Sequence, residues 1–220
     1  MPDAHPITPI LPVNELRDYH LINRELKVLL DRGATHVRLT GVEGQRLLLA
    51  GLSGGWNAVV RVDGRVGPEF SAGLDATGLI VVVSGGAADG LGRSARGGSI
   101  VVLGDAGAAA GYRLDGGTVV VAGVSGPRAG LEQAGGTLLL GGPTGPLAGE
   151  RQRGGLLAVL SHAGADAGRG RSGGSVLRAG EPGDRVAIED YRATVAGLRD
   201  WLPPTIGLGA WRVDDAVGTR

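Results

Sequence analysis

Gly104-Asp105-Ala106-Gly107-Ala108-Ala109-Ala110-Gly111 is answered nineteen residues later by Gly123-Val124-Ser125-Gly126-Pro127-Arg128-Ala129-Gly130. Gly142-Pro143-Thr144-Gly145-Pro146-Leu147-Ala148-Gly149 follows after another nineteen. The three stretches share the spacing G-x-x-G-x-x-x-G and little else. Weaker copies extend the phase in both directions. Gly85, Ala88 and Gly92 lie upstream, preceded by Gly64, Gly67 and Ser71; Ser161, Gly164 and Gly168 lie downstream, followed by Gly180 and Gly183. First members at 64, 85, 104, 123, 142, 161 and 180 give one interval of twenty-one residues and five of nineteen, a phase that glycine-rich composition alone would not hold.

Each triplet follows a short aliphatic run that starts just after glycine. The runs are Ile80 to Val83, Ile100 to Leu103, Val119 to Val121, Leu138 to Leu140, Leu156 to Leu160 and Val176-Leu177. Glycine-bounded apolar runs of this length are strand signals, and a fixed period near twenty residues marks a solenoid. A helical repeat would need ten or more glycine-poor residues per unit, because each interior glycine costs about 0.8 to 1 kcal/mol relative to alanine. Leucine-rich and collagen patterns are absent. The expected fold is therefore all-β, a parallel β-helix of about seven coils. Right-handedness is expected because parallel crossovers overwhelmingly take that hand. Glycine is expected at the corners, where positive φ is needed; Ser or Ala at some equivalent positions suggests that others need only a small side chain.

Composition agrees with one elongated domain. The chain has 220 residues, 42% hydrophobic and 3% aromatic, with 22 basic and 22 acidic side chains. That balance points away from a general nucleic-acid or anionic-membrane binder. No apolar run reaches the roughly 20 residues of a membrane span, and Met1 to Pro12 lacks the pattern of a secretion signal. A cytoplasmic location is the expectation. Without cysteine, the chain has no disulfides, thiolate metal sites or cysteine nucleophile.

The ends differ from the repeat. Residues 1-50 read as an N-terminal extension: a helix capped by Asn14 and running to about Asp31, stopped by Gly33, then strands over Thr35 to Thr40 and Gln45 to Ala50. Residues 51-183 read as the β-helix. Residues 184-220 read as a second amphipathic helix from Asp184 to Trp201, stopped by Pro203-Pro204, and a tail carrying Trp211. Terminal covers are expected because end coils otherwise expose strand edges and apolar interior.

Tandem coils of this spacing, from about Gly51 to Gly183, resemble the GXGXG domain found in the glutamate synthase large subunit and in one of the subunits of formylmethanofuran dehydrogenase. The segment Arg17-Asp18-Tyr19 through Leu30, followed by Gly44-Gln45-Arg46, is similar to the entry region of stand-alone glutamate synthase domain 3 proteins. The resemblance implies a right-handed β-helix without catalytic residues or a cofactor of its own. Its partners would be a glutamine amidotransferase subunit and an FMN-binding synthase subunit, with the flavin and any iron–sulfur cluster on those partner subunits. The repeat glycines implied as structural are Gly64, Gly67, Gly85, Gly92, Gly104, Gly107, Gly111, Gly123, Gly126, Gly130, Gly142, Gly145, Gly149, Gly164, Gly168, Gly180 and Gly183.

Independent chemistry is sparse. Of His5, His20, His36 and His162, only His162 falls in a coil, beside Ser161 where the triplet loses its first glycine. Adjacent residues rarely present nucleophile and base to each other, and no G-x-S-x-G elbow exists, so a surface corner is the simpler reading. Gly85 to Gly90 has the look of a single calcium β-roll loop, without the aspartate in every repeat that such a site needs. No Walker lysine follows any glycine-rich loop. Arg93, Arg96, Arg113, Arg128, Arg151, Arg153, Arg169 and Arg171 share one part of the period and should line one side. They form either a solvated face interleaved with Asp89, Asp105, Asp115, Glu132, Glu150 and Asp166, or a docking surface in which Arg113 and Arg151 pair with partner carboxylates. Three functional classes follow: a scaffold in a glutamate synthase-like complex, a scaffold in a formylmethanofuran dehydrogenase-type complex, and a free-standing β-helix hydrolase or lyase.

Overall fold

The computed structural model describes residues 8–16 and 18–207. The expectations that concern residues 1–7 with His5, Arg17, and the tail with Trp211 fall outside them. Nine parallel strands form one sheet in strict sequence order: β1 (Ile10–Pro12), β2 (His36–Glu43), β3 (Ser53–Arg65), β4 (Asp75–Val83), β5 (Gly97–Val102), β6 (Thr118–Val121), β7 (Thr137–Leu140), β8 (Leu156–Val159) and β9 (Ser175–Arg178). Such a sheet, with one strand per repeat, is a β-solenoid. Strands β2 to β9 mark about eight turns, one more than the glycine triplets indicate. Register steps by nineteen residues from Val81↔Ile100 onward, by twenty-one at Val60↔Val81 and by twenty-three at Val37↔Val60.

Alternating strand residues serve two cores. Ile100, Val102, Val119, Val121, Leu138, Leu140, Leu157 and Val159 point into the coil, against the small residues Ala87, Ala106, Ala110, Ala129 and Ala148. Val101, Val120, Leu139, Ala158 and Leu177 belong to a second cluster on the outer face. Burial on both faces explains why these strands read as unbroken apolar runs rather than alternating ones.

Two helical segments cover different surfaces. Helix α1 (Val13–Leu16) is separate from α2 (Tyr19–Asp31), so Asn14 caps no long helix. The cap of α2 is Asp18, which accepts from the His20 N–H at 2.9 Å. Asn14 instead lies against Gly41, where a Cβ would collide with its side chain. Gly33 adopts φ +87° just beyond α2, the stopping role its place in the sequence suggests. Ile22, Leu26 and Leu30 on α2 close the coil core at the first turn. The strand expected over Gln45 to Ala50 is a turn, and Thr35 to Thr40 is largely contained in β2.

Helix α3 (Arg185–Gly197) starts at the Asp184 cap, which accepts from the Ala187 N–H at 3.0 Å. It runs along the outer face, burying Ala187, Ile188, Tyr191 and Val195 against the second cluster. A 3-10 turn at Arg199–Trp201 carries the chain back to β3, where the Arg61 guanidinium lies 5.0 Å from the Trp201 ring. The described part of this C-terminal strap thus covers sheet rather than the bottom of the last coil. Gly180 and Gly183 begin no further coil: Gly180 has open space around it and Gly183 packs on Leu177 and Ile188.

The triplet glycines divide by cause. A Cβ on Gly104 would lie 2.9 Å from the Gly85 backbone, and one on Gly126 would lie 2.7 Å from the backbone of Gly107 and Ala108. First and second members are therefore small because the preceding coil is too close. Third members Gly92, Gly111, Gly130, Gly149 and Gly168 have φ between +62° and +77°. Gly130 and Gly149 each sit in the middle of three alternate left-handed residues, Arg128, Gly130, Glu132 and Leu147, Gly149, Arg151. The alternation turns peptide groups in opposite directions. Gly130 N–H donates back to Ala110 O (2.7 Å), while Arg128 and Glu132 donate forward to Pro146 O (2.9 Å) and Glu150 O (2.8 Å). Left-handed residues cost roughly 1–2 kcal/mol each, and these coil-to-coil bonds offset that strain.

Candidate functional site

The arginine-bearing part of the coil becomes a ridge of alternating charge. Arg113, Glu132 and Arg151 occupy the same left-handed position in consecutive turns, at φ 53°, 52° and 54°. Stacking brings Arg113 Nε to 2.8 Å from Glu132 Oε2 and Arg151 Nη1 to 3.8 Å from Glu132 Oε1. The hydrogen bond from Arg113 holds the Glu132 carboxyl below its ordinary pKa, and the same bond raises that of Arg113. Arg128 pairs with Glu150 at 3.2 Å, and Arg93 with Glu69 at 2.6 Å. Tyr112 lies between Arg93 and Arg113, with guanidinium carbons 5.7 and 5.1 Å from its ring. All these pairs are solvent-accessible, so they add little to stability. Their product is a strip of alternating charge along the side of the coil.

The structure brings Arg113 and Arg151 together around one carboxylate. Arg169 pairs instead with Asp166 in its own turn at 3.8 Å, and Arg171 bends to donate to Gly174 O at 3.2 Å. Asp89 and Asp105 leave the ridge: their Oδ1 atoms accept from the Ala108 and Val124 N–H groups of the following turn at 2.8 and 2.7 Å.

Ser161 and His162 line a cavity of about 390 Å³ at the end of the last coil, together with Asp166, Arg178 and Glu181. Their side chains make no hydrogen bond to each other among the described residues. Gly85, Gly104, Gly123 and Gly142 each donate N–H to the first glycine of the turn before, at 3.1 Å, and the series ends at Gly142. The cavity is lined by the last turn and the segment that follows it, while the Leu160 N–H to Leu140 O (2.9 Å) and Thr144 N–H to His162 O (3.0 Å) bonds keep that turn joined to the one before on either side of Ser161. Groups of three or more His, Cys, Asp or Glu side chains placed to hold a metal ion do not occur among the described residues.

Several polar residues with clear structural work are not conspicuous in the sequence. Gln133 and Gln152 are fully buried nineteen residues apart. Gln133 Nε2 donates to Gly135, Gly136 and Leu156 carbonyls at 3.0 to 3.1 Å. Gln152 repeats the pattern on Gly154, Gly155 and Ser175. The signal was their common phase with Leu114, an inward position where a polar residue must find partners. Arg178 likewise stands at the inward phase of Val159 and turns its Nη2 to Ala167 O at 2.7 Å. No family model, curated protein or solved structure matches the chain.

Proposed function

We propose that the chain is a non-catalytic scaffold subunit of a glutamate synthase-like complex, holding a glutamine amidotransferase beside an FMN-binding oxidoreductase. The amidotransferase would release ammonia from glutamine and the flavoprotein would use it in a reductive amination. Flavin and any iron–sulfur cluster would then belong to the partners. The observation that carries the reading is the tandem G-x-x-G-x-x-x-G coil, which resembles the GXGXG domain and whose glycines serve backbone packing rather than a ligand. About eight turns at roughly 4.8 Å each span on the order of 38 Å, enough to set a separation between two globular neighbours.

The charged ridge is the surface assigned to docking. Reversal of Arg113 and Arg151 to glutamate should abolish co-purification with both partners while far-UV circular dichroism and the melting temperature stay near those of the parent, since exposed pairs carry little stability. A double variant that still brings both partners down would remove the ridge from the interface.

A further inference from the structure

The two ends of the solenoid are finished differently. At the first turn the Asn23 amide on α2 stands in for a preceding coil, donating to Leu47 O (3.2 Å) and Ala50 O (3.4 Å) and accepting from Leu49 N–H (2.7 Å). At the last turn, residues 161–179, α3 leaves along the outer face and covers no such edge.

Donors and acceptors at that edge can be counted by phase. In the turn before it, Thr144, Leu147 and Arg151 donate N–H forward to His162 O (3.0 Å), Ala165 O (2.8 Å) and Arg169 O (2.8 Å). The same positions one turn later are Ala163, Asp166 and Gly170, whose N–H groups have no acceptor among the described residues. Forward-facing carbonyls are treated otherwise. Ala148, Gly155 and Val159 accept from the next turn. Their counterparts Ala167, Gly174 and Arg178 are already taken, by Arg178 Nη2 (2.7 Å), Arg171 Nη1 (3.2 Å) and the Glu181 N–H (3.1 Å). Three forward carbonyls are thus taken within the turn, Arg171 O, the counterpart of Gln152 O, has no donor, and the three N–H groups have no acceptor among the described residues. The charge at this end is mainly basic: Arg169, Arg171 and Arg178 face only Asp166 and Glu181, and both carboxylates are paired, with Arg169 and Arg178.

We propose that this end docks an acidic, extended segment of a partner protein, whose carbonyl and carboxylate oxygens accept from Ala163, Asp166 and Gly170. Addition of an extended segment to an open edge draws affinity from main-chain bonds, and charged acceptors strengthen them. A second copy of the chain fits poorly. End to end it would set Arg169, Arg171 and Arg178 against the same arginines, and its opposite end is closed by α2 and Asn23. The inference is independent of which enzyme the partner belongs to.

Hexaglutamate, extended by self-repulsion, is the probe, with hexaglutamine as its neutral counterpart. Titrated into the full 15N-labelled chain, hexaglutamate should shift and saturate the Ala163, Asp166 and Gly170 amides, with hexaglutamine at least about tenfold weaker. Arg171→Glu should weaken hexaglutamate about tenfold and Arg171→Lys much less, both retaining the parent far-UV spectrum. Shifts confined to the Arg113–Arg151 ridge, or equal binding of the two peptides, would overturn the proposal. So would slow hydrogen exchange at the three amides before any peptide is added. If that protection rises with protein concentration, a second copy closes the end; if not, the chain closes it itself.

Discussion

At the scale of single residues, glycine answers two separate demands that look identical in the sequence. Gly126 lacks a side chain because the Gly107 and Ala108 backbone lies 2.7 Å from where a Cβ would be. Gly51 has φ +66° and nothing within 4 Å of that point, so only conformation is at stake. Gly51→Ala should therefore cost about 1–2 kcal/mol. Gly126→Ala instead forces overpacking against backbone, typically about 1–3 kcal/mol and occasionally more, and the neighbouring turn cannot yield without breaking its own bonds. Urea unfolding of the two variants should give a clearly larger loss for Gly126→Ala, and equal losses would contradict the division. Positive φ at corners was legible from the glycine pattern. The close approach was not, because it depends on which coil lies above, and neither was the tolerance of Arg113, Glu132 and Arg151 for left-handed backbone.

At the scale of elements, the sequence showed strands β4 to β9 plainly, since each lies between glycines at constant phase. The turn containing β2 escaped because Val42, Gln45 and Leu49 replace its glycine triplet. Helix α2 lies on its far side in place of a coil, which removes the close backbone contact that excludes side chains. The C-terminal helix was legible from its apolar spacing, but the surface it covers was not. Only the paired burial of Val120, Leu139 and Ala158 with Ile188, Tyr191 and Val195 shows it lying on the sheet. Tyr191 ties this strap down: it is fully buried, donates its hydroxyl to Gly207 O, and burial pushes its phenol pKa up. A raised folded-state value means the stabilisation is complete below the ordinary tyrosine pKa of about 10 and fades as pH climbs through it. The urea midpoint should fall more steeply between about pH 9.5 and 11 in the parent than in Tyr191→Phe. Identical slopes would show that the strap does not depend on the neutral phenol.

For the whole molecule, the described residues form a rod of stacked turns whose first turn is closed by α2 and Asn23 and whose last turn carries N–H groups with no acceptor among those residues. The ridge of Arg113, Glu132 and Arg151 runs along its side. Their common phase let the sequence suggest a strip, whereas Glu132 as the shared partner needed the stacking to be seen. In the proposed scaffold role, the charge along the flank and the last turn would be the places where other proteins are held. The most direct measurement of that role is native purification of the full chain from its source cell, with mass identification of what accompanies it and assays on the isolated chain. The scaffold role predicts a colourless, inert chain that arrives with a glutamine amidotransferase and a flavoprotein. A chain that purifies alone, or one that hydrolyses esters or glycosides by itself, would contradict it.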